Sequence, residues 1–311
     1  MSRTDEQAEL AAIVRSLLDR RADRAAVRTA MTSDKGFDEG LWQTLCEQIG
    51  VAALAIPESH GGVGASLAET CVVLEELGRS LAPSPLLPTA LAAAALLAAR
   101  DPDGLLARIA GGEVATLATP DHVLFGAQAQ IVLAYVDGRL TQVDETPVRV
   151  SAMDPTVQLS TLRQIVDPLP DGVRDVALVL TAALQVGGMQ RALDDTVAYS
   201  LQRVQFGRPI GSFQALKHRM ADMLVKLELS RSAMLHGVDG LIDAAPDAPA
   251  RAAVAAAYCT EAFNDLAGEM IQLHGGIAIT WEHDAHLVLK RAHALGTLWG
   301  QPHTPRARLA L

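Results

Sequence analysis

The amino-acid sequence predicts a mainly α-helical protein with a small β insert. Apolar residues make up 50% of its 311 residues while aromatic residues make up only 4%, and the frequent alanine runs favour helix. Apolar side chains recur at steps of three and four in the first and last thirds, whereas the pattern between them is short and alternating. The prediction is an N-terminal all-α domain at residues 1–112, a reduced middle β-domain at 113–170 and a C-terminal helical bundle at 171–311.

The first third contains several helical segments separated by turn signals. Residues 7–18 and 37–49 place apolar side chains on one helical face. A glycine-rich loop then leads into the capping-box pattern of residues 66–69, which predicts the start of another helix. Gly78 stands where that helix is expected to end. Prolines at 83, 85 and 88 break the chain before a further helix in the alanine-rich stretch 90–99.

The middle and last thirds differ in their periodicity. Asp137-Gly138, placed between two alternating apolar segments, predicts a two-residue hairpin turn. Long apolar helices are expected over residues 176–201 and from 213 onward, with a polar break at 243–249. Beyond the break, five apolar residues recur at steps of four, three, four and three, a seam typical of a helical bundle. The members of this seam are Cys259, Phe263, Leu266, Met270 and Leu273.

Charge and cysteine content narrow the class of protein. The net charge of −10 argues against a chain that coats nucleic acid or anionic lipid. Three widely spaced cysteines form no disulfide framework, which fits a reducing cytoplasm. No export signal is visible, and the longest apolar stretch, 90–99, is shorter than the roughly 18 residues that a membrane span needs. We therefore expect a cytoplasmic protein without a nucleic-acid or membrane partner.

Two patterns that could indicate ligand sites carry little weight. Gly61-Gly62-Val63-Gly64 lacks the spacing of a dinucleotide-binding loop and fits a tight turn before a capped helix. His283 and His286 have acidic neighbours, but no second cluster completes a ligand set, so no metal site is predicted.

Two other segments combine residue types that suit a nucleotide. Between two predicted helices, residues 203–214 contain two arginines, two phenylalanines and two glycines. Arginine binds pyrophosphate oxygens in bidentate fashion, phenylalanine stacks on a flat base, and glycine permits close backbone approach. An ordinary interhelical turn is the alternative. In the second segment a helix ends in Gly275-Gly276. A helix C-cap explains the two glycines but not the preceding Gln272 and His274. Those two side chains either contact a ligand or are simply solvated.

Together these segments resemble the acyl-CoA dehydrogenase family. Its fingerprint, Arg-x-x-Phe-Gly-x-x-Ile-x-x-Phe-Gln, then Ala-Asp-Met, then Gln-x-x-Gly-Gly, matches residues 203–214, 221–223 and 272–276. The stretches 54–64 and 75–79 also resemble the N-terminal helical domain of that family. The resemblance covers both helical thirds and implies the family order of an all-α domain, a β-domain and a four-helix bundle.

The resemblance implies a flavoenzyme that oxidises the Cα–Cβ bond of an acyl-CoA thioester. In the family a carboxylate takes the α proton and flavin N5 takes the β hydride. The two matching segments reach across a subunit interface and hold the ADP half of the neighbouring subunit's FAD. The resemblance assigns this cofactor-binding role to Arg203, Gln205, Phe206, Gln214, Gln272 and Gly276.

The sequence departs from the family pattern around the chemistry. The loop that normally touches the flavin ring is missing, the nearest stretch being 117–121. The two family positions of the catalytic glutamate align with Ala177 and with residues 298–301, and neither carries a carboxylate. Asp175 lies two residues from Ala177 and, at about 100° per residue, points to another face. Ala278 also replaces a usual glycine. No catalytic residue is therefore assigned.

These losses resemble the base-less subunit of heteromeric acyl-CoA dehydrogenases from steroid-degrading actinobacteria. The resemblance implies a second acyl-CoA dehydrogenase-like subunit in an α2β2 assembly, an acyl-CoA substrate, and electron-transfer flavoprotein as acceptor. A steroid-derived or ring-containing thioester is the family-level expectation, and a short fatty acyl chain is the alternative. Two other functions stay open: a non-catalytic structural relative without flavin, and a flavin monooxygenase or oxidase on the same fold.

Overall fold

Two groups of helices flank a small β region in the computed structural model, which describes residues 3–101, 103–300 and 306–307. The first group consists of α1 (Asp5–Arg21), α2 (Arg24–Thr32), α3 (Glu39–Ile49), α4 (Leu67–Ser80), α5 (Leu86–Ala99) and the short α6 (Leu106–Ala110). The second group consists of α7 (Asp171–Gln202), α8 (Gln214–Ile242), α9 (Ala248–His274) and α10 (Ala285–Thr297). This arrangement confirms the predicted mainly helical fold with a β insert.

The β region is built from two small sheets. The strands are β1 (Ala115–Leu117), β2 (Val123–Leu124), β3 (Ile131–Val136), β4 (Arg139–Gln142), β5 (Val148–Val150) and β6 (Leu159–Thr161). Their orders are β1-β3-β4 and β2-β6-β5, with β1 and β3 parallel and the other pairs antiparallel. Asp137 and Gly138 join β3 to β4 with φ of 51° and 74°, which confirms the predicted two-residue turn.

The loop before α4 is a turn that folds back on itself. The Gly64 N–H donates to the Ile56 carbonyl at 2.9 Å, and a Cβ on Gly62 would lie 2.0 Å from that same oxygen. Ser66 then caps α4 together with Glu69, whose carboxylate accepts the Ser66 N–H at 2.8 Å. The prediction of a turn leading to a capping box is confirmed.

The interior of the second group lies around α7 and α9. Four seam residues of α9 are 0% exposed and Leu273 is 8% exposed, so the seam faces the bundle interior rather than a surface. One α7 window is long and apolar enough to cross a membrane among the described residues, yet 78% of it is buried within the fold, as in the core helix of a bundle.

Two glycines bring α4 and α7 into close contact. A Cβ on Gly78 would lie 2.2 Å from the Leu184 carbonyl oxygen, and one on Gly187 would lie 1.9 Å from the Glu75 carbonyl oxygen. Helix α4 continues past Gly78 and ends on Leu81, which is in the left-handed region. The prediction that Gly78 ends this helix is therefore wrong, because helix–helix approach rather than capping requires its missing side chain.

A fully buried ion pair connects α10 to the β region. Arg291 and Asp154 are 3% and 0% exposed, and the arginine Nε donates to the carboxylate Oδ2 at 2.7 Å. The Thr156 N–H donates to the other carboxylate oxygen at 2.9 Å, and Arg291 also donates to the Leu81 carbonyl. The pair thus holds α10, the β5–β6 connection and the end of α4 together.

Candidate functional site

Residues 203–214 form an exposed hairpin at the end of α7. Strands β7 (Val204–Gln205) and β8 (Arg208–Pro209) pair antiparallel, and Phe206 and Gly207 form the turn with φ of 53° and 77°. Phe206 is 91% exposed although it is a large apolar residue in a strained backbone region. Since the fold itself gains little from this ring, its position suits an external ligand.

The base of the hairpin is held by ring contacts. The Arg208 guanidinium lies 4.0 Å from the centroid of the Phe213 ring, and Phe206 meets Phe213 edge-on at 6.2 Å. Arg203 is exposed, and within the described residues no carboxylate lies within ion-pair distance of it. Arg208 is therefore engaged with Phe213, whereas the Arg203 guanidinium remains available to an anionic ligand.

The second predicted segment leaves the end of α9. Gly275 follows His274 with φ of 66°, which turns the chain into a short 3-10 segment, and both Gln272 and Gly276 are exposed. His274 is only 4% exposed, and its Nδ1 lies 2.7 Å from the Met270 carbonyl oxygen. Burial lowers the pKa of His274, so the imidazole is neutral at pH 7 and Nδ1–H donates to that carbonyl.

Tyr199 and His274 bring the two segments to the same end of the bundle. Their rings stack with centroids 4.4 Å apart and planes inclined by 26°. Tyr199 lies one turn before Arg203 and accepts its backbone N–H at 2.9 Å. The six predicted residues make no side-chain hydrogen bond to one another within the described chain, so the link runs through this stack. Sequence reasoning missed Tyr199, because an i, i+4 backbone bond is common to all helical residues and no local pattern indicates the stack with His274.

Exposed apolar side chains lie on α8 and on the two segments and their flanks. On α8 one face presents Leu224, Val225 and Leu229, with exposures of 48%, 56% and 52%. Large apolar side chains on the two segments and their flanks are also exposed, namely Leu201, Val204, Phe206, Ile279 and Trp281. A concentration of such residues is typical of a protein–protein contact surface.

Neither position aligned with the family's catalytic glutamate carries a carboxylate. Ala177 is 0% exposed in α7. The Trp299 indole donates from Nε1 to the Thr181 hydroxyl at 2.7 Å, one helical turn beyond Ala177, and its ring lies 5.7 Å from that of His122. Burial lowers the pKa of His122. Gln301, the last residue of the aligned stretch, lies outside the described residues.

Two clefts flank the pair of helices α5 and α7 close to Ala177. One, of about 500 Å³, is walled mainly by alanine, valine and leucine side chains and reaches the end of α8. The other, of about 660 Å³, opens beside the β3–β4 turn. Ala94, Gly172 and Val176 line both clefts, so these small residues form the wall between them. Volumes of this size accommodate an organic ligand.

His283 and Asp284, which follow the second segment, form hydrogen bonds within this chain. Asp284 accepts from Arg28 at 2.7 Å and lies 3.1 Å from the Arg24 guanidinium, and the His283 Nδ1 accepts the Ala285 N–H. Across the described ranges, no three His, Cys, Asp or Glu side chains are grouped so that they could hold a metal ion.

Both helical parts of the chain are similar in sequence to one known protein family. Residues 4–100 match the profile of the acyl-CoA dehydrogenase N-terminal domain, and residues 177–308 match that of the C-terminal domain. The acyl-CoA dehydrogenase IpdE2 of Mycobacterium tuberculosis is 48% identical over 99% of this chain and 98% of that protein. The acyl-CoA dehydrogenase FadE34 of the same organism is 34% identical over 96% of this chain but only 46% of its own length.

A solved structure of the steroid ACAD Tcur3481-Tcur3483, in a variant form, has a similar fold. It superposes with a TM-score of 0.87 and 27% identity over 98% of this chain and 96% of that chain. The family and the fold that the motifs predicted are confirmed, and with them FAD as the cofactor. The exposed Arg203 and Phe206 fit the phosphate and ring chemistry of that dinucleotide. With both of its helical parts matched and a relative 48% identical over nearly its whole length, the chain belongs to the acyl-CoA dehydrogenase family.

Proposed function

We propose that this chain is the base-less subunit of a heteromeric, FAD-dependent acyl-CoA dehydrogenase. In an α2β2 assembly it contributes the contacts to the ADP half of FAD, while a second acyl-CoA dehydrogenase-like subunit contributes the catalytic carboxylate. The reaction is the α,β-dehydrogenation of an acyl-CoA thioester in the cytoplasm, with electron-transfer flavoprotein as acceptor. One observation carries the proposal: the hairpin at 203–214 is exposed to solvent in a chain that has no carboxylate at the positions of the family's catalytic glutamate.

The hairpin supports a role in trans. Arg203 has no carboxylate partner within the described chain, and Phe206 is 91% exposed, so both side chains can bind a group that approaches from outside. Arg203 would neutralise a pyrophosphate oxygen pair, and Phe206 would stack on the adenine. Gln205, Gln214 and Gln272 would offer amide hydrogen bonds, while Gly276 permits close approach. Bound FAD supplies the hydride acceptor.

The absence of a suitably placed carboxylate around Ala177 supports the need for a partner. Ala177 cannot move a proton, and the Trp299 indole is engaged with the Thr181 hydroxyl. Asp175 is buried, but the helical step of about 100° per residue places it about 200° around α7 from Ala177. A base that removes the α proton must lie within hydrogen-bond reach of it. We therefore assign that carboxylate to the partner subunit.

The comparisons support an assembly of two related chains. The similar solved structure is of a steroid ACAD that combines Tcur3481 with Tcur3483. The match covers 46% of FadE34, so a further stretch of similar size accompanies the matched part in that polypeptide.

The substrate class is proposed on other grounds. Because the similar solved structure is of a steroid ACAD, we propose a steroid-derived or ring-containing acyl group as the substrate class.

Co-expression with the product of a neighbouring acyl-CoA dehydrogenase gene tests the proposal. The purified complex should show flavin absorbance and reduce an acceptor with acyl-CoA, whereas the chain alone should be colourless or insoluble. Arg203→Ala should remove most of the bound FAD. Arg20→Ala, which deletes the same charge from the exposed face of α1, is the matched control and should retain it.

Three outcomes would contradict the proposal. A yellow, active homo-oligomer of this chain would show that no partner is needed. A complex without flavin absorbance would favour the structural relative instead, and NADH-dependent or reduced-flavin-dependent oxygen uptake would favour the monooxygenase or oxidase.

A further inference from the structure

We propose that Tyr199 and His274 are positioning residues that hold the two nucleotide-binding segments in one fixed arrangement. This inference rests on the proposed function, because it concerns how the same FAD contacts are oriented. Neither side chain needs to touch the cofactor. Their role is to fix the exit directions of the hairpin after α7 and of the Gly-Gly turn after α9.

Tyr199 controls the start of the hairpin. Its carbonyl accepts the Arg203 N–H at 2.9 Å, which is the last capping bond of α7. The next residue, Ser200, is 3% exposed and lies under the far end of the hairpin, where a Cβ on Gly211 would come within 2.8 Å of its hydroxyl oxygen. The backbone at residues 199 and 200 therefore contacts both ends of the hairpin, and the Tyr199 ring projects from this same point of α7.

His274 controls the start of the Gly-Gly turn. It is the last residue of α9, and Gly275 follows it directly with positive φ. Its Nδ1 is bonded to the Met270 carbonyl, whereas its Nε2 is buried without a hydrogen-bond partner among the described residues. The orientation of the ring about that single hydrogen bond therefore depends on its ring contacts, which are to Tyr199 at 4.4 Å and to His283 at 4.5 Å between centroids.

A third ring closes the cluster. His283 lies 4.5 Å from His274 and 6.4 Å edge-on from Tyr199, measured between ring centroids. The adjacent Asp284 is anchored by Arg24 and Arg28 of α2. The three rings come from the end of α7, the end of α9 and the segment before α10, so the stack is tied to the body of the protein. An arrangement held from three sides orients ligand-binding groups better than independent loops do.

The experiment compares substitutions in the co-expressed complex. Tyr199→Leu removes the stacked ring, and Tyr199→Phe keeps it. Because an aromatic pair contributes only modestly, Tyr199→Leu should raise the FAD dissociation constant about threefold to tenfold, and Tyr199→Phe should leave it near the wild-type value. In the FAD-free complex, Tyr199→Leu should also speed up backbone hydrogen exchange in both 203–214 and 272–276. Tyr258→Leu, which removes a half-buried ring from the middle of α9, is the matched control and should affect neither segment.

A double-mutant cycle separates positioning from general packing. If the stack couples the segments, Tyr199→Leu and His274→Leu together should weaken FAD binding no more than the stronger single variant does. If Tyr199→Leu does not fold, a comparison of His274→Leu with His274→Phe tests whether the stacked ring orders both segments. His274→Phe retains a ring, so hydrogen exchange in 203–214 and 272–276 should be faster in His274→Leu than in His274→Phe.

The outcomes distinguish this inference from the proposed function. Loss of FAD in Arg203→Ala, weakened binding in Tyr199→Leu and rescue by Tyr199→Phe would support both. Wild-type affinity and exchange in Tyr199→Leu, with FAD still lost in Arg203→Ala, would overturn the inference alone. Full FAD retention in Arg203→Ala would overturn the proposed function and the inference with it.

Discussion

Phe206→Ala should leave the fold intact and weaken FAD binding. The ring is 91% exposed and meets only the edge of Phe213 at 6.2 Å, so its removal should change the free energy of unfolding by less than about 0.5 kcal/mol. A base stacked on an aromatic side chain contributes about 1–3 kcal/mol. In the complex, the FAD dissociation constant should therefore rise roughly 5- to 150-fold.

The backbone at this position makes the substitution informative. Phe206 has φ of 53°, a conformation that alanine tolerates no better, so Phe206→Ala isolates the contribution of the ring. Phe206→Gly would also relieve about 1 kcal/mol of backbone strain and should stabilise the hairpin. FAD titration followed by flavin fluorescence measures the affinity, and urea unfolding measures the stability. Phe206→Tyr should bind FAD like the wild type.

Two results would refute this reasoning. Wild-type FAD affinity in Phe206→Ala would show that no base stacks on the ring. A loss of unfolding free energy above about 1 kcal/mol in the FAD-free protein would show that the ring packs within the fold.

Three further predictions concern stability. Arg291→Met leaves the Asp154 carboxylate buried without its cation and should cost about 3–5 kcal/mol in urea unfolding; a cost below about 1 kcal/mol would contradict a buried pair. Gly187→Ala places a Cβ 1.9 Å from the Glu75 carbonyl oxygen and should lower the thermal midpoint clearly, whereas an unchanged midpoint would contradict the close helix contact. Burial lowers the pKa of His274, so near and below the ordinary histidine pKa of about 6.5 the unfolded chain binds more protons than the folded chain. The contribution of His274 to stability should therefore be full above about pH 6.5 and decrease as the pH falls below that value. Equal thermal midpoints at about pH 5 and 7.5 would refute this.

Local patterns in the sequence were sufficient for most of the fold. The α9 seam could be predicted because helical periodicity alone selects which side chains are buried, and Cys259 and Phe263 are both 0% exposed. The Asp137-Gly138 turn could be predicted because its two positive φ angles restrict the residue types. The residue types of 203–214 permitted the prediction of a nucleotide contact, which stays a prediction, and the local sequence did not indicate that Phe206 is 91% exposed.

Contacts between distant residues could not be predicted in this way. Arg291 and Asp154 are 137 positions apart, and no local pattern indicates that they pair. Gly78 looked like a helix end because a crossing partner such as Leu184 is invisible in the sequence around it. The Tyr199–His274 stack joins two helices whose ends meet only after the bundle has formed. Each depends on tertiary packing, which overrides the local preference of the residues involved.

The exposed apolar residues of α8 and the hairpin bear on how this protein must be made in a cell. A newly finished chain presents Phe206, Leu224 and Val225 to water until something covers them. In that interval correct assembly competes with self-association of the exposed apolar surfaces, and self-association is favoured at high concentrations of the unassembled chain. In the proposed heteromer, balanced translation of the two polypeptides, rather than the intrinsic stability of either, would then determine the yield of soluble enzyme.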